Sequence, residues 1–195
     1  MRRATKDPNS LILSKNLTYK INNSANNKKI ADILYKEQKC YCAYTDEFIS
    51  RTDASDIEHF NPTLKNTIAD NYNNWFLVKT QWNKEKSEKW GDYQPVLHPT
   101  DPALEDRIIY YDGDYVVANL NDTEAKNLVR ILKLDDPALA GKRKKYIDRK
   151  KEEITAFGGD AVTFFNVLLE ADNCQISYLR AIKEVFKIDI WQLIP

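Results

Sequence analysis

The segment between about residues 40 and 90 constrains the fold most, because the helical spacing of apolar residues on either side of it is lost there. Short extended pieces are indicated instead: Asp56–Phe60, which follows a turn, and the apolar run Trp75–Lys79. The intervening residues 63–74 are rich in Asn and Thr, which favour turns, and residues 80–89 have helix-forming composition behind a Thr cap. The sequence therefore predicts a strand, a long loop, a second strand and a helix.

The flanking sequence is predominantly helical. Apolar residues recur at helical spacing from Ser24, the expected cap, to Gln38. Asp112-Gly113 lies between two apolar runs and predicts a β-hairpin near residues 108–117. Residues 1–24 are weakly patterned, and we expect an arm or short helix that packs on the rest. Four more helices are predicted at residues 122–134, 137–153, 160–171 and 174–186. The predicted fold class is α+β, as a mostly helical single domain over residues 1–195.

The charges of the chain cancel. Lysine and arginine (29) balance aspartate and glutamate (29), so the net charge is zero with both histidines neutral. Such a chain has no long-range attraction for nucleic acid or for an acidic membrane, and a polyanion would have to be met by a local patch. The best patch is the basic stretch from Lys142 to Lys151, although a run of this kind is more often a solvated helix face.

The three cysteines, Cys40, Cys42 and Cys174, are an odd number, and two of them are too close to bridge each other easily. We therefore expect no disulfide framework. Cys174 lies on a predicted amphipathic helix and is expected to be a small core residue. No apolar run approaches the roughly 20 residues of a membrane span, and the basic N-terminus lacks the apolar core of a signal peptide. These features predict a cytoplasmic protein without membrane contact.

A few polar residues around the predicted strands could carry chemistry. Glu58-His59 falls at the end of the first strand, and Asn74 stands at the head of the second. Asn83 follows inside the helix, with Lys86 one turn later. A lone histidine is usually structural, so only these neighbours together indicate a catalytic role for His59.

This pattern resembles the HNH, or ββα-metal, nuclease superfamily, which has an acidic residue and His, then Asn before an apolar strand, then Asn or His and Lys in a helix. Further ordered segments look like the small HNH proteins of Septu-type and retron-associated phage defence, the PtuB family. These segments are Asp56–Pro62, Pro95–Pro99, the hairpin around Asp112-Gly113, Ile131–Leu134 and Leu139–Arg143. The resemblance covers about residues 38–146. It implies a ββα-metal core at about 40–90 and a helical C-terminal part at about 122–190.

The resemblance implies a metal-dependent endonuclease acting on DNA, beside an ATPase partner in phage defence. His59 would take a proton from water and would carry no core packing. Glu58 and Asn83 would hold Mg²⁺ or Mn²⁺ through oxygen atoms. Asn74 would tie down the loop or the second imidazole nitrogen, and Lys86 would contact a phosphate.

The sequence departs from the family pattern in three places. Relatives often hold a structural zinc with two C-x-x-C pairs, and here these positions read Cys42 with Thr45 and Lys79 with Trp82. Three of the four ligands are missing, so structural zinc is not expected, and we expect apolar packing by Tyr44 and Trp82 in its place. Glu58 stands where Asp is more common, which leaves the preferred metal open. His98 stands where relatives tend to carry Asp.

Several alternatives stay open. His98 could be a hydrogen-bonded loop histidine, a second metal ligand or a substrate contact. The chain could be a noncatalytic interaction or adaptor subunit on the same fold, although such a subunit is expected to lose the base or a metal ligand. A plain DNA-binding regulator has little support, because the pI is about 6.7 and no recognition helix is evident. Self-association is compatible with the sequence.

Overall fold

The computed structural model describes residues 1–86, 90–172 and 175–194, except the side chains of Lys84 and Glu85. Within these ranges the chain is about 49% helical and has two small antiparallel sheets of two strands each, which confirms the predicted α+β class. The helices are α1 (Leu11–Ser14), α2 (Ser24–Glu37), α3 (Thr80–Lys86), α4 (Leu104–Arg107), α5 (Thr123–Ile131), α6 (Pro137–Phe157), α7 (Ala161–Ala171), α8 (Leu179–Phe186) and α9 (Ile190–Leu193). The strands are β1 (Ser55–His59), β2 (Trp75–Lys79), β3 (Ile108–Tyr111) and β4 (Asp114–Val117).

The predicted order of strand, loop, strand and helix is confirmed. β1 and β2 pair antiparallel, with Ser55 opposite Lys79 and His59 opposite Trp75. All of β2 except Lys79 is buried, as its continuous apolar run indicates. α3 follows β2 without a gap and packs against both strands. This arrangement places the end of β1 and the residues of α3 close together.

The hairpin predicted near residues 108–117 is also confirmed. Its turn residues, Asp112 and Gly113, both have positive φ, of 46° and 98°. That conformation suits the two-residue turn whose twist matches the flanking strands. A Cβ atom on Gly113 would lie 2.6 Å from the carbonyl oxygen of Ala140, so α6 approaches the hairpin too closely for a larger residue. The turn glycine therefore serves both the hairpin and its packing.

Several helix boundaries differ from the prediction, and α5 for example ends at Ile131 rather than at Leu134. The cap of α2 is Asn23 rather than Ser24, since the Asn23 side chain accepts the amide of Asn26 at 3.0 Å. α8 begins at Leu179, because Tyr178 before it has a positive φ of 59°, outside the right-handed helical region. Ile176 and Tyr178 are buried outside the helix, so core packing overrides the helical pattern there. Cys174 lies outside the described residues, so its predicted role as a core residue stays a prediction.

The core consists of two hydrophobic clusters. One joins the N-terminal arm, α2, the β1–β2 sheet and α5. The other joins α6, α7, α8 and α9. Trp82 on α3 and Tyr110 on β3 are partly buried against both clusters and connect them. The core of the described residues therefore has two adjoining parts.

The N-terminal arm packs on the rest of the chain, as expected. The Met1 and Ala4 side chains are buried, and the Ala4 amide donates to the carbonyl of Pro99 at 2.9 Å. The Asp7 amide donates to the Tyr72 hydroxyl at 2.9 Å. Among the described helices, none by itself has the length and apolar composition to cross a membrane; α6 and α7 reach them only as a pair bent by 100°.

Lys6 in the arm is a partly buried cation. Its ammonium lies 3.9 Å from the centre of the Phe76 ring and 4.6 Å from that of Tyr72, and it donates to the carbonyl of Trp75. Burial lowers the pKa of Lys6 to about 7, with the Glu37 carboxylate opposing the shift. The folded protein therefore binds fewer protons at this site than the unfolded chain between about pH 7 and the usual lysine range.

Replacing Lys6 by Met is expected to raise the melting temperature relative to wild type at pH 6.5 and to lose that advantage toward pH 9.5. The wild type gains stability with rising pH because its unfolded state binds the extra proton. In a chain of this size, 1 kcal/mol corresponds to roughly 2–4 °C. Thermal unfolding of both proteins at the two pH values measures the difference. If the two proteins differed in melting temperature by the same amount at pH 6.5 and pH 9.5, the lowered pKa of Lys6 would be contradicted.

Candidate active site

His59 lies at the end of β1 and is largely buried, with 5% of its surface exposed. Its ring meets the Tyr19 ring edge-on, with 4.5 Å between ring centres, and it also faces Trp75. The expectation that His59 carries no core packing is therefore wrong. Its Nε2 atom lies 3.1 Å from Oδ2 of Asp70, a close polar contact without good hydrogen-bond alignment.

Asp70 was missed by the sequence reasoning, although it connects three residues of the site. Its Oδ1 atom accepts from Nδ2 of Asn74 at 2.9 Å and from Nε1 of Trp75 at 2.7 Å. Its other oxygen faces His59. One signal could have found it: Asp70 is the single acidic residue between β1 and β2. A carboxylate at this point is therefore held by two donors and directed at the imidazole.

Asn74 closes the loop that follows His59. Its Oδ1 atom accepts the amide of Asn61 at 2.7 Å, and its Nδ2 atom donates to the carbonyl of the same residue at 3.1 Å. The Phe60 amide also donates to the carbonyl of Asn74, at 2.8 Å. Of the two roles that the sequence leaves open for Asn74, these contacts favour tying down the loop. The second imidazole contact belongs to Asp70.

Glu58 and Lys86 form a buried ion pair. The Lys86 ammonium contacts Oε1 of Glu58 and donates to the carbonyls of His59 at 2.7 Å and Phe60 at 2.5 Å. The side chains of Glu58 and Lys86 are 3% and 1% exposed. Burial raises the pKa of Glu58 and lowers that of Lys86, and each partner opposes the other's shift. In this conformation Lys86 is an internal cation rather than a surface contact for phosphate.

Asn83 brings a further oxygen donor to the same side of the sheet. Its Nδ2 atom donates to Oδ2 of Asp56 at 3.3 Å. Asp56 and Glu58 alternate along β1 and so share one face of the strand. Their carboxylates and the Asn83 carbonyl are the hard oxygen donors that Mg²⁺ prefers, so the donor chemistry fits that ion. The cation already beside Glu58 is Lys86, and within the described ranges no three His, Cys, Asp or Glu side chains form a metal-holding group.

The imidazole of His59 is neutral at neutral pH. Burial lowers its pKa to about 4, with the nearby Asp70 carboxylate opposing this shift. A carboxylate next to Nε2 favours the tautomer that carries its proton there, which leaves Nδ1 with a free electron pair. A neutral imidazole in this tautomer can accept a proton at Nδ1.

Cys42 and Lys79, two of the positions compared above with zinc ligands, lie close together in space. Cys42 is 1% exposed, its Sγ atom accepts the amide of Lys79 at 3.5 Å, and its own amide donates to the carbonyl of Glu47 at 2.9 Å. Tyr44 is buried in the first cluster, and Trp82 packs partly against both clusters. The turn after Cys42 is thus held by backbone hydrogen bonds and by the expected aromatic packing.

His98 makes the contacts of a loop histidine. Its Nδ1 atom is 2.7 Å from the Thr100 hydroxyl, and its ring meets Phe60 edge-on with 4.8 Å between centres. Burial lowers its pKa, with Lys6 adding to the shift. His98 also lines an open groove with Asn61 and Asn74, so it borders the candidate site without contacting His59 through any described hydrogen bond or ring pair.

The basic stretch from Lys142 to Lys151 divides into buried and exposed residues. Arg143 is fully buried and donates to the carbonyls of Gly113 and Leu134, both at 2.6 Å. Lys150 is buried and pairs with Glu153 at 2.7 Å. Lys142, Lys144, Lys145, Arg149 and Lys151 are exposed. The stretch therefore attaches α6 to the hairpin through Arg143, and only its other five charges are exposed to solvent.

Comparison with protein-family models, curated proteins and solved structures finds no match for this chain. The resemblance to HNH nucleases therefore depends on the quoted residues. The contacts of the candidate site join His59, Asp70 and Asn74, whereas Glu58 contacts Lys86 and Asn83 contacts Asp56.

The purified protein is expected to contain no stoichiometric zinc, because one buried thiol with Thr45, Lys79 and Trp82 cannot complete a tetrahedral site. Burial also raises the pKa of the Cys42 thiol and disfavours the thiolate that zinc needs. Elemental analysis after dialysis measures the metal content. One zinc per chain in the wild type would contradict the prediction. Its loss in Cys42→Ala would show that a ligand set including Cys42 holds the metal.

Proposed function

We propose that this chain is a metal-dependent endonuclease of the HNH type that hydrolyses phosphodiester bonds of DNA. The observation that carries the proposal is the His59–Asp70 pair at the end of β1, in a loop fastened by Asn74. Glu58 and Asn83 supply oxygen donors from β1 and α3. These are the residue types that phosphodiester hydrolysis requires: a base for water and ligands for a cation near the phosphate.

Each residue of the site has its own role in the proposed hydrolysis. Neutral His59 takes a proton from the attacking water at Nδ1, while the Asp70 carboxylate holds the imidazole orientation and stabilises the imidazolium that forms. Asn74 keeps the loop after β1 in place, and with it the direction of the base. Glu58 and Asn83 would hold Mg²⁺ or Mn²⁺. When bound, such an ion supplies positive charge for the phosphate oxygens and the leaving O3′.

The alternative is a noncatalytic adaptor subunit on the same fold. A subunit without catalysis has no need for a polar pair directed at a buried imidazole, because burying polar groups costs free energy that an apolar residue would avoid. The buried His59–Asp70 contact therefore favours the enzyme over the adaptor. Cleavage assays on the variants below distinguish the two functions.

An ATPase partner and a DNA substrate complete the proposal, both taken from the resemblance to phage-defence nucleases. Zero net charge supplies little of the phosphate neutralisation that non-specific DNA binding needs. The exposed residues of the basic stretch on α6 are paired in part with neighbouring carboxylates, as in Lys144–Asp112 and Lys151–Asp148. A partner that brings DNA to the site would compensate for this weak intrinsic attraction.

His59→Gln is expected to lower plasmid cleavage by roughly 10²–10⁴-fold, the usual effect of losing a general base. Gln fills more of the space between Tyr19 and Trp75 than Ala would, so the fold should persist. His98→Gln is the matched control and should keep near wild-type activity. Cleavage is measured with Mg²⁺ and Mn²⁺, with and without chelator, beside thermal unfolding. Equal cleavage by wild type and a folded His59→Gln would rule out His59 as the base.

Asp70→Asn tests Asp70 as a positioning residue. The Asn oxygen can keep the donors from Asn74 and Trp75, but its amide nitrogen then faces Nε2 of His59 and favours the opposite imidazole tautomer. We expect cleavage to fall by roughly 10²-fold or more with little loss of stability. Nitrogen NMR of the two histidines should show the tautomer change at His59 alone. An unchanged tautomer with full activity would remove Asp70 from the proposed machinery.

A further inference from the structure

The proposed base is covered by the N-terminal arm. A general base must reach water beside a phosphate, yet His59 is only 5% exposed. The covering group is Tyr19, whose ring lies edge-on to the imidazole at 4.5 Å and belongs to residues 15–22, which we call the strap. The described conformation therefore has the base closed off from a large substrate.

Two asparagine side chains at the start of α2 hold Thr18 and Lys20 of the strap, whereas the amides of residues 15–17 donate to carbonyls of α1. Nδ2 of Asn26 donates to the carbonyl of Thr18 at 2.5 Å. Asn27 pairs with the backbone of Lys20 in both directions, at 3.1 and 2.7 Å. All three hydrogen bonds are exposed to solvent, where such bonds add little stability. Segments held in this way open at much lower free energy than the core.

The strap borders an open groove that leads to the proposed machinery. Lys20 and Ile21 form one side of this groove, and Asn66 and Ile68 form the other. Asp70, the partner of His59, also lines it. Lys65 lies over the Tyr19 ring at 5.3 Å, so a cation stands beside the cover. Movement of the strap would connect the groove with the imidazole.

We propose that the strap is an autoinhibitory cover: Tyr19 blocks His59, and release of residues 15–22 from α2 exposes the base to nucleic acid. The role in inhibition rests on the proposed nuclease function, whereas the covering of His59 can be tested without it. Tyr19 and Leu17 are the strap residues that pack against the first hydrophobic cluster, and the other residues of the strap are exposed.

The first experiment measures access to His59 directly. Diethyl pyrocarbonate acylates neutral imidazoles, and mass spectrometry of the labelled protein separates His59 from His98, the other histidine in the chain. In the double variant Asn26→Ala, Asn27→Ala we expect labelling of His59, relative to His98, to rise by about 10-fold, because the rate follows the open population. Both substitutions favour helix and leave the Asn23 cap of α2 intact.

The control is Lys28→Ala, an exposed position on the same helix. It should leave the ratio of His59 to His98 labelling at the wild-type value. Equal ratios in wild type and the double variant would overturn the strap as a cover. Labelling of His59 as fast as His98 in the wild type would overturn it as well.

The second experiment measures plasmid cleavage by the same proteins with Mg²⁺ or Mn²⁺. The double variant is expected to cut about 10-fold faster than wild type, in proportion to the larger open population. Adding His59→Gln to it should abolish the gain. Increased labelling with no cleavage by any variant would refute the proposed nuclease function and leave the cover standing. Increased labelling with unchanged, His59-dependent cleavage would refute autoinhibition alone.

Discussion

The buried contact between Lys86 and Glu58 is the interaction on which the rest of the site depends. The β1–β2 ladder has only five residue pairs, so the chain leaving β1 needs other partners for its backbone. Lys86 donates to the carbonyls of His59 and Phe60 at that point, and Glu58 balances its charge. Removing either partner would leave a buried charge unpaired, which is strongly destabilising. The end of α3 is thereby fastened to the end of β1.

The same contact links structure to the proposed chemistry. Glu58 is the expected metal ligand, and its present counter-ion is the ammonium of Lys86. A divalent ion at Glu58 would compete with Lys86 for the carboxylate. Lys86 would then lose its charge partner while its two backbone carbonyls remained. Metal binding at Glu58 is therefore expected to affect the position of the loop after His59. A metal site without a lysine paired to its ligand would lack this coupling.

The His59 side of the strand is organised differently from the Glu58 side. Adjacent residues of a strand point to opposite faces, so the imidazole and the carboxylate enter separate environments. His59 meets aromatic rings and Asp70, whereas Glu58 meets α3. Burial dominates the pKa of both groups, and it favours the neutral form in each case. In the described conformation Tyr19 covers the imidazole and Lys86 pairs with the carboxylate.

Local patterns in the sequence determined the order of the elements. Alternation and apolar runs predicted β1 and β2, helical spacing predicted most of α2, α5 and α6, and Asp112-Gly113 predicted the hairpin. These patterns work because side-chain direction repeats every two residues in a strand and every 3.6 in a helix. Turn residues add the local preference for positive φ.

Only the tertiary structure decided which polar groups meet. Asp70 faces His59 because the loop between β1 and β2 folds back on itself through Asn74, and Tyr19 covers the same imidazole from 40 positions earlier in the chain. Lys86 fell inside the expected motif, yet its burial follows from how α3 lies across β1. The start of α8 was likewise set by the burial of Ile176 and Tyr178 outside the helix. Contacts of this kind depend on packing between distant segments, which residue spacing along the chain does not encode.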